Sequence, residues 1–398
     1  LVGINGRGSF DKRGRVNSGV GYAISINQIK NFLGHLKAGI DTDHASLGAI
    51  VQTSTEASGV GKMVVTTILD DCDAYKRGLD QDDQLLSFAG RQISSVNHFK
   101  NVMGIYPRGW RLPLEFAREN KGKKEVLVRL MGIQRKEVPE AKQPQPGKQP
   151  QPGKKAPPAA FGPGAKLYEA KPGYANYFFN RVEKDRLWDA FQKNGDFSKL
   201  TGAWSFDGDV AFRKAQTGSP FKFEILDEKV GESFQPKVIY TINSTPYTLL
   251  PVATDTTKAQ LVAPAGSGGV MSAMYVLRHL LTAGPKGFAT CDHGGVEPFY
   301  PPTTDPKATG GFAKQRIDCE VLDTRFGPFL TRFLFNQDDS KLAGFEMRLS
   351  PEDDPCEVYL SDWRAVDGRQ LPHRIRVLHS DLTYGTFTIT NWKLAAGN

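Results

Sequence analysis

The sequence predicts a multidomain α+β protein, and three observations lead to that class. Two long stretches alternate apolar and polar residues at strand spacing, and each also holds short runs at helical spacing. A repeat rich in proline, glutamine, glycine and lysine separates them. The length of 398 residues, 39% hydrophobic and 24% charged, leaves room for two or three cores.

In chain order, residues 1–36 come first. Leu1-Val2-Gly3-Ile4-Asn5 reads as a buried strand, 6–19 as a glycine- and charge-rich loop, and Val20-Gly21-Tyr22-Ala23-Ile24 as a second strand. A helix is expected over 27–36, where Ile29, Phe32, Leu33 and Leu36 share one face. Such a segment is too short to bury a core alone. It opens with neither Met nor a signal peptide, so the expectation is the inside of a longer protein.

Residues 44–131 carry the densest signals. The string Arg77-Gly78-Leu79-Asp80-Gln81-Asp82-Asp83-Gln84-Leu85-Leu86-Ser87-Phe88-Ala89-Gly90-Arg91-Gln92-Ile93 reads as a helix end, a turn, a buried strand and a hairpin, with Gly78 and Gly90 where positive φ is needed. Met63 to Leu69 has the character of a central strand. Asp73 is placed to cap a short helix ending at Gly78. A second helix is expected over 96–105, burying Val96, Phe99, Val102 and Met103 and leaving Asn97, Lys100, Asn101 and Gly104 on the other side.

Residues 137–165 form the linker. Lys142-Gln143-Pro144-Gln145-Pro146-Gly147 repeats as Lys148-Gln149-Pro150-Gln151-Pro152-Gly153, a composition that favours extended polyproline II over a packed core. Residues 166–398 then have enough apolar sequence for their own core. Helices are expected over 174–194 and 269–282, the second apolar nearly all round. Strands are expected over 221–226, 237–242, 247–252, 315–322, 329–336, 342–349, 356–364, 373–379 and 384–392, which suggests a curved antiparallel sheet around helices.

Composition narrows the partners. The net charge is +8, but the Lys and Arg residues are scattered and densest in the linker, so nucleic acid is not an expected partner. No run of eighteen apolar residues occurs, so no transmembrane segment is expected. Cys72, Cys291, Cys319 and Cys356 show no C-x-x-C spacing; a single Cys319–Cys356 bridge is compatible with the sequence. Cys291-Asp292-His293 looks like a fragment of a metal site but has no second ligand pair at coordinating distance in sequence, so neither metal nor cofactor is expected. Ser18 and Ser267 have small neighbours without a nucleophile motif around them, and both read as turn residues.

The string from Arg77 to Ile93 resembles the signature of a PDZ domain, with Ser46-Leu47-Gly48-Ala49 standing where that family has its carboxylate-binding loop. The resemblance implies that backbone donors at Leu47, Gly48 and Ala49, facing a helix that presents Asn97 and Lys100, take the C-terminus of a peptide as an added strand. Ala49 implies a roomy pocket floor. The family usually has Gly-Asp where this chain has Asp82-Asp83, and Asp tolerates positive φ better than most residues. Leu1 to Asn5 together with Gly19-Val20-Gly21-Tyr22-Ala23-Ile24-Ser25, running through a helix into the PDZ-like segment, resembles the end of the trypsin-like β-barrel of HtrA-type serine proteases. Gly21, Tyr22 and Ala23 would then belong to the substrate-pocket strand. The catalytic triad would lie upstream, so no residue of this chain inherits a catalytic role, and a homo-oligomer would form through the protease domain. Residues 166–398 are similar to the LolA-like fold of lipoprotein carriers, on Val358 to Arg364, Asp367 to Ile375 and Thr386 to Ile389. That likeness implies a lipid at the C-terminal domain, and together the likenesses imply a cell-envelope, periplasmic or secreted location. Two functions stay open: the C-terminal portion of an HtrA-like serine endopeptidase acting in protein quality control, or a non-catalytic PDZ adaptor with a carrier-like domain.

Overall fold

The computed structural model describes residues 3–10, 17–55, 61–133, 163–213, 217–230, 233–302 and 311–397. Most of the linker and its repeat therefore lie outside the described residues. The chain is mostly β-sheet with few helices and divides into two compact units, Leu1–Asn180 with Gly295–Arg316, and Arg181–Gly294 with Ile317–Asn398.

In the first unit, strands Gly3–Phe10 and Asn17–Ser25 pair antiparallel as a two-stranded sheet. Helix Ile26–Lys37 follows directly, and Ser25 starts it by accepting a hydrogen bond from the Gln28 amide at 3.3 Å. The larger sheet runs in the order Ala49–Thr55, Gly61–Ile68, Gln84–Phe88, Arg111–Arg118, Gly122–Arg129, with Arg91–Gln92 folding back on Gln84–Phe88. Gly61–Ile68 is an interior strand, with Met63 and Val65 buried. Val65, Leu79, Phe88, Leu114 and Val128 are fully shielded and hold the sheet to helix Val96–Met103, whose Phe99, Val102 and Met103 are buried as expected.

Compactness divides the chain at places other than residue 166. Residues 163–180 and Gly295–Arg316 belong to the first unit, and specific bonds tie them there. Asn180 Nδ2 donates to Ala38 O at 3.3 Å, Trp110 Nε1 donates to Val296 O at 2.9 Å, and the Phe312 amide donates to Glu125 Oε2 at 3.2 Å.

The second unit is dominated by an eleven-stranded sheet. Its order is Thr245–Leu249, Ser233–Ile242, Ser219–Val230, Trp204–Phe212, Leu382–Leu394, Arg369–His379, Cys356–Val366, Leu342–Arg348, Phe329–Asn336, Ile317–Phe326, Thr290–Phe299. The earliest strand pairs with the latest, Trp204–Phe212 against Leu382–Leu394, which makes the ends of this segment neighbours. Two-residue turns set the register elsewhere: Asp367 and Gly368 have φ of 47° and 76° between the paired Val366 and Arg369. Helix Val270–Ala283 is buried along nearly its whole length, with Val276 and Leu280 at 0% exposure. All four cysteines are buried thiols, and Cys319 and Cys356 do not bridge.

Candidate functional site

The strongest candidate site is the edge of the first unit's sheet. Ala49–Thr55 is bonded to Gly61–Ile68 on one side and is the terminal strand of its sheet on the other. Helix Val96–Met103 packs against it. An edge strand carries a row of backbone donors and acceptors along its outer side, which is what an incoming extended peptide pairs with.

The loop before this strand is built on glycine. Gly48 has φ +79°, and a Cβ added there would lie 2.5 Å from the Cys72 Cβ and 2.9 Å from the Met131 Sδ. Only glycine fits that approach. Leu47 turns its side chain into the core at 4% exposure and so anchors the loop from below, while Ala49 is half-buried against the same core. The Gly48 carbonyl accepts from the Leu69 amide at 2.9 Å. Its own amide is engaged by the Ser46 hydroxyl, which accepts at 3.2 Å. An arriving carboxylate has to displace or share that hydroxyl. Across the groove Asn97, Lys100 and Asn101 are exposed on the helix and Gln52 and Thr53 on the strand.

The turn that supports the loop follows the chemistry of its residues. Gly78 and Gly90 have φ of 99° and 75°, and Asp82 takes φ 66° in the position where the PDZ family uses glycine. Asp83 beside it is 0% exposed and fully committed, accepting from the Asp80 amide at 2.8 Å and from Arg118 Nε and Nη2 at 2.7 Å and 2.8 Å. One assignment needs correction. Helix Asp73–Lys76 is capped by the Cys72 sulfur, which accepts from the Tyr75 amide at 3.4 Å, and not by Asp73. Asp73 instead accepts from the Arg129 amide at 2.6 Å and from Arg77 Nε at 3.3 Å, bonds to a distant strand that local sequence does not announce.

Of the residues expected in a substrate-pocket strand, Gly21 and Ala23 lie in strand Asn17–Ser25, opposite Gly8 and Asn5. Ala23 is exposed, whereas the side chain of Tyr22 lies outside the described residues, as does that of Ser18. Ser267 is a turn residue: its hydroxyl accepts from the amides of Gly269 and Val270 at 3.1 Å and 3.2 Å and starts the buried helix.

In the second unit, a cavity of about 20 Å³ opens beside helix Val270–Ala283, lined by Trp204, Phe206, Met274, Trp363 and Trp392 among others. That volume holds about one water molecule. Elsewhere in the unit His293, Glu320, Glu183 and Arg186 converge, although His293 and Glu320 are 27 positions apart in sequence and Glu183 is farther from both. Periodicity could not have found this cluster, because its members sit on two strands and a helix. His373, by contrast, is an ordinary strand residue, with Nδ1 3.2 Å from Leu371 O.

No family model and no curated relative matches the chain. Solved structures similar to it include an HtrA-type protease, AlgW, with a decapeptide (20% identity, TM-score 0.26, covering 34% of this chain and 43% of that one). A LolA superfamily protein from Nitrosomonas europaea is 11% identical, with a TM-score of 0.29, over 54% of this chain and 94% of that one. A PDZ domain protein from Parabacteroides distasonis is 10% identical, with a TM-score of 0.20, over 77% and 70%. The chain thus spans less than half the length of the HtrA-type protease.

Proposed function

We propose that the first unit captures the C-terminal segment of a polypeptide as an added strand along Ala49–Thr55. The observation that carries this reading is the outer side of that strand, which pairs with no other strand among the described residues, beside helix Val96–Met103, with a glycine-built loop at its start. In this reading Leu47, Gly48 and Ala49 offer backbone donors to the terminal carboxylate, and Asn97 and Lys100 flank the peptide. The chain serves as the C-terminal portion of an HtrA-like serine endopeptidase of the cell envelope, in which this groove presents protein ends to an active site contributed from upstream. The direct passage from hairpin to helix to PDZ-like sheet supports that assignment. Among the described residues no helix is long and apolar enough to cross a membrane.

Calorimetry with a peptide that ends in a large apolar residue tests the groove. Charge-assisted hydrogen bonds to a carboxylate contribute about 1.5–3 kcal/mol, so amidating the peptide's C-terminus is expected to weaken binding about tenfold or more. Equal affinity for the acid and the amide would show that the loop is no carboxylate site. A fluorophosphonate probe tests the second part: the 398-residue chain is expected to remain unlabelled.

A further inference from the structure

Three side chains that can ligate a metal meet in the second unit from far apart in the sequence. His293, on strand Thr290–Phe299, is 1% exposed and holds Nε2 3.1 Å from Glu320 Oε2 on the neighbouring strand Ile317–Phe326. Glu183 descends from helix Tyr177–Gln192, and one ligand atom from each of the three lies within 4.8 Å of the other two. The helix is held there by Leu187 and Phe191, both buried, with the Phe191 ring 5.2 Å from that of Phe335. Arg186 lies between the carboxylates, with Nε 2.9 Å from Glu183 Oε2 and Nη2 bonded to Glu320 Oε2.

We propose that Glu183, His293 and Glu320 form a binding site for a first-row divalent cation, with the Arg186 guanidinium standing where the ion goes. Charge favours the exchange. Two carboxylates against one guanidinium sum to −1 in a place where Glu320 is only 9% exposed, and a buried unbalanced charge is costly. A divalent ion in place of the guanidinium brings the sum to zero. Arg186 can leave without disturbing the core, because its side chain is 48% exposed and extends from a helix surface. One imidazole nitrogen with two carboxylates suits Zn²⁺, Mn²⁺ or Fe²⁺, whereas Ca²⁺ and Mg²⁺ favour all-oxygen shells. His293 is the fixed ligand. Glu320 already stands 3.1 Å from His293, about the separation of two ligands that share one ion at about 2.0–2.2 Å, and Glu183 moves in to complete the set. Three protein ligands leave at least one position for water, the arrangement of an open site rather than a closed structural one.

Titration of the full chain with Zn²⁺ by calorimetry, and with Co²⁺ by visible absorption, tests the site. One equivalent should bind saturably, and bound Co²⁺ should show ligand-field bands. His293→Ala and Glu320→Gln should each weaken binding at least tenfold, with circular dichroism confirming that the variants are folded. Arg186→Ala should tighten binding at least threefold, because it removes the competing cation; a purely structural ion-pair network would instead lose thermal stability and gain no affinity. The half-buried variant Glu183→Gln, on the helix rather than in the sheet, keeps the test informative if the other substitutions unfold the unit. Absence of saturable binding in both the wild type and Arg186→Ala would overturn the proposal, as would binding that survives both His293→Ala and Glu183→Gln undiminished.

Discussion

Single residues decide whether the groove exists. Gly48→Ala adds a Cβ at positive φ, against Cys72, so it should cost at least about 2 kcal/mol in chemical denaturation and abolish peptide binding. Asp83→Ala leaves Arg118 without its carboxylate and the Asp80 amide without its acceptor; since Arg118 is 33% exposed and reaches water, about 3 kcal/mol is expected, the low end for a broken buried pair. His279 gives a pH signature in the second unit. Burial against the rings of Phe326 and Phe288, at 3.9 Å and 5.0 Å, holds its pKa below the ordinary 6.5, and the Arg278 charge adds to this while the Gly287 carbonyl opposes it. A depressed value favours the neutral ring in the fold. The stability it contributes is complete above pH 6.5 and is lost as pH falls toward the lower folded value, so Tm should decline as pH drops below about 6.5 and His279→Phe should flatten that decline. Much at this scale was legible in the sequence. Gly78, Gly90 and Asp82 all adopt the positive φ that their turn positions require. The cap on helix Asp73–Lys76 was not, because the Asp73 carboxylate is drawn away by an amide 56 residues later.

At the scale of elements, periodicity located the helices and most strands to within a few residues. Several strands escaped it: Ala49–Thr55, Arg111–Arg118 and Gly122–Arg129 in the first unit, and two in the second. Trp204–Phe212 contains Asp207, Gly208 and Asp209, and Gly208 is needed because a bulge brings it against the Thr388 carbonyl. Thr290–Phe299 is interrupted by Gly294 and Gly295; a Cβ on Gly294 would press on the Val321 side chain. Glycine at such close approaches hides a strand from pattern reading. Helix Val270–Ala283 was legible as enclosed, but what it encloses was not. Beside it, Met274, Leu277 and Leu281 line a void of about 20 Å³, room for about one water molecule, so this void as it stands does not admit a long acyl chain. A long-chain fluorescent fatty acid should therefore show no saturable uptake by the native protein, and a stoichiometric, saturable signal would mean that this helix moves aside.

For the molecule as a whole, the proline-rich repeat lies outside the described residues, and the division into units follows contacts that the composition does not announce. Residues 163–180 and Gly295–Arg316 return to the first unit through long-range bonds such as Trp110 to Val296, which no local pattern encodes. A protease that cuts in the lysine-containing repeat at 142–153 should therefore yield two fragments that co-elute in native gel filtration and separate only in denaturant. Independent elution of a folded piece starting near residue 166 would contradict the division.

The most direct test of the account follows backbone amide shifts by NMR while a peptide with a free apolar C-terminus is titrated in. Strand addition predicts the largest changes at residues 47–55 and along helix Val96–Met103, with new protection from hydrogen exchange on the outer side of Ala49–Thr55. Changes confined to the other sheet edge at Thr245–Leu249, or no protection gained at 49–55 when the peptide is saturating, would contradict it.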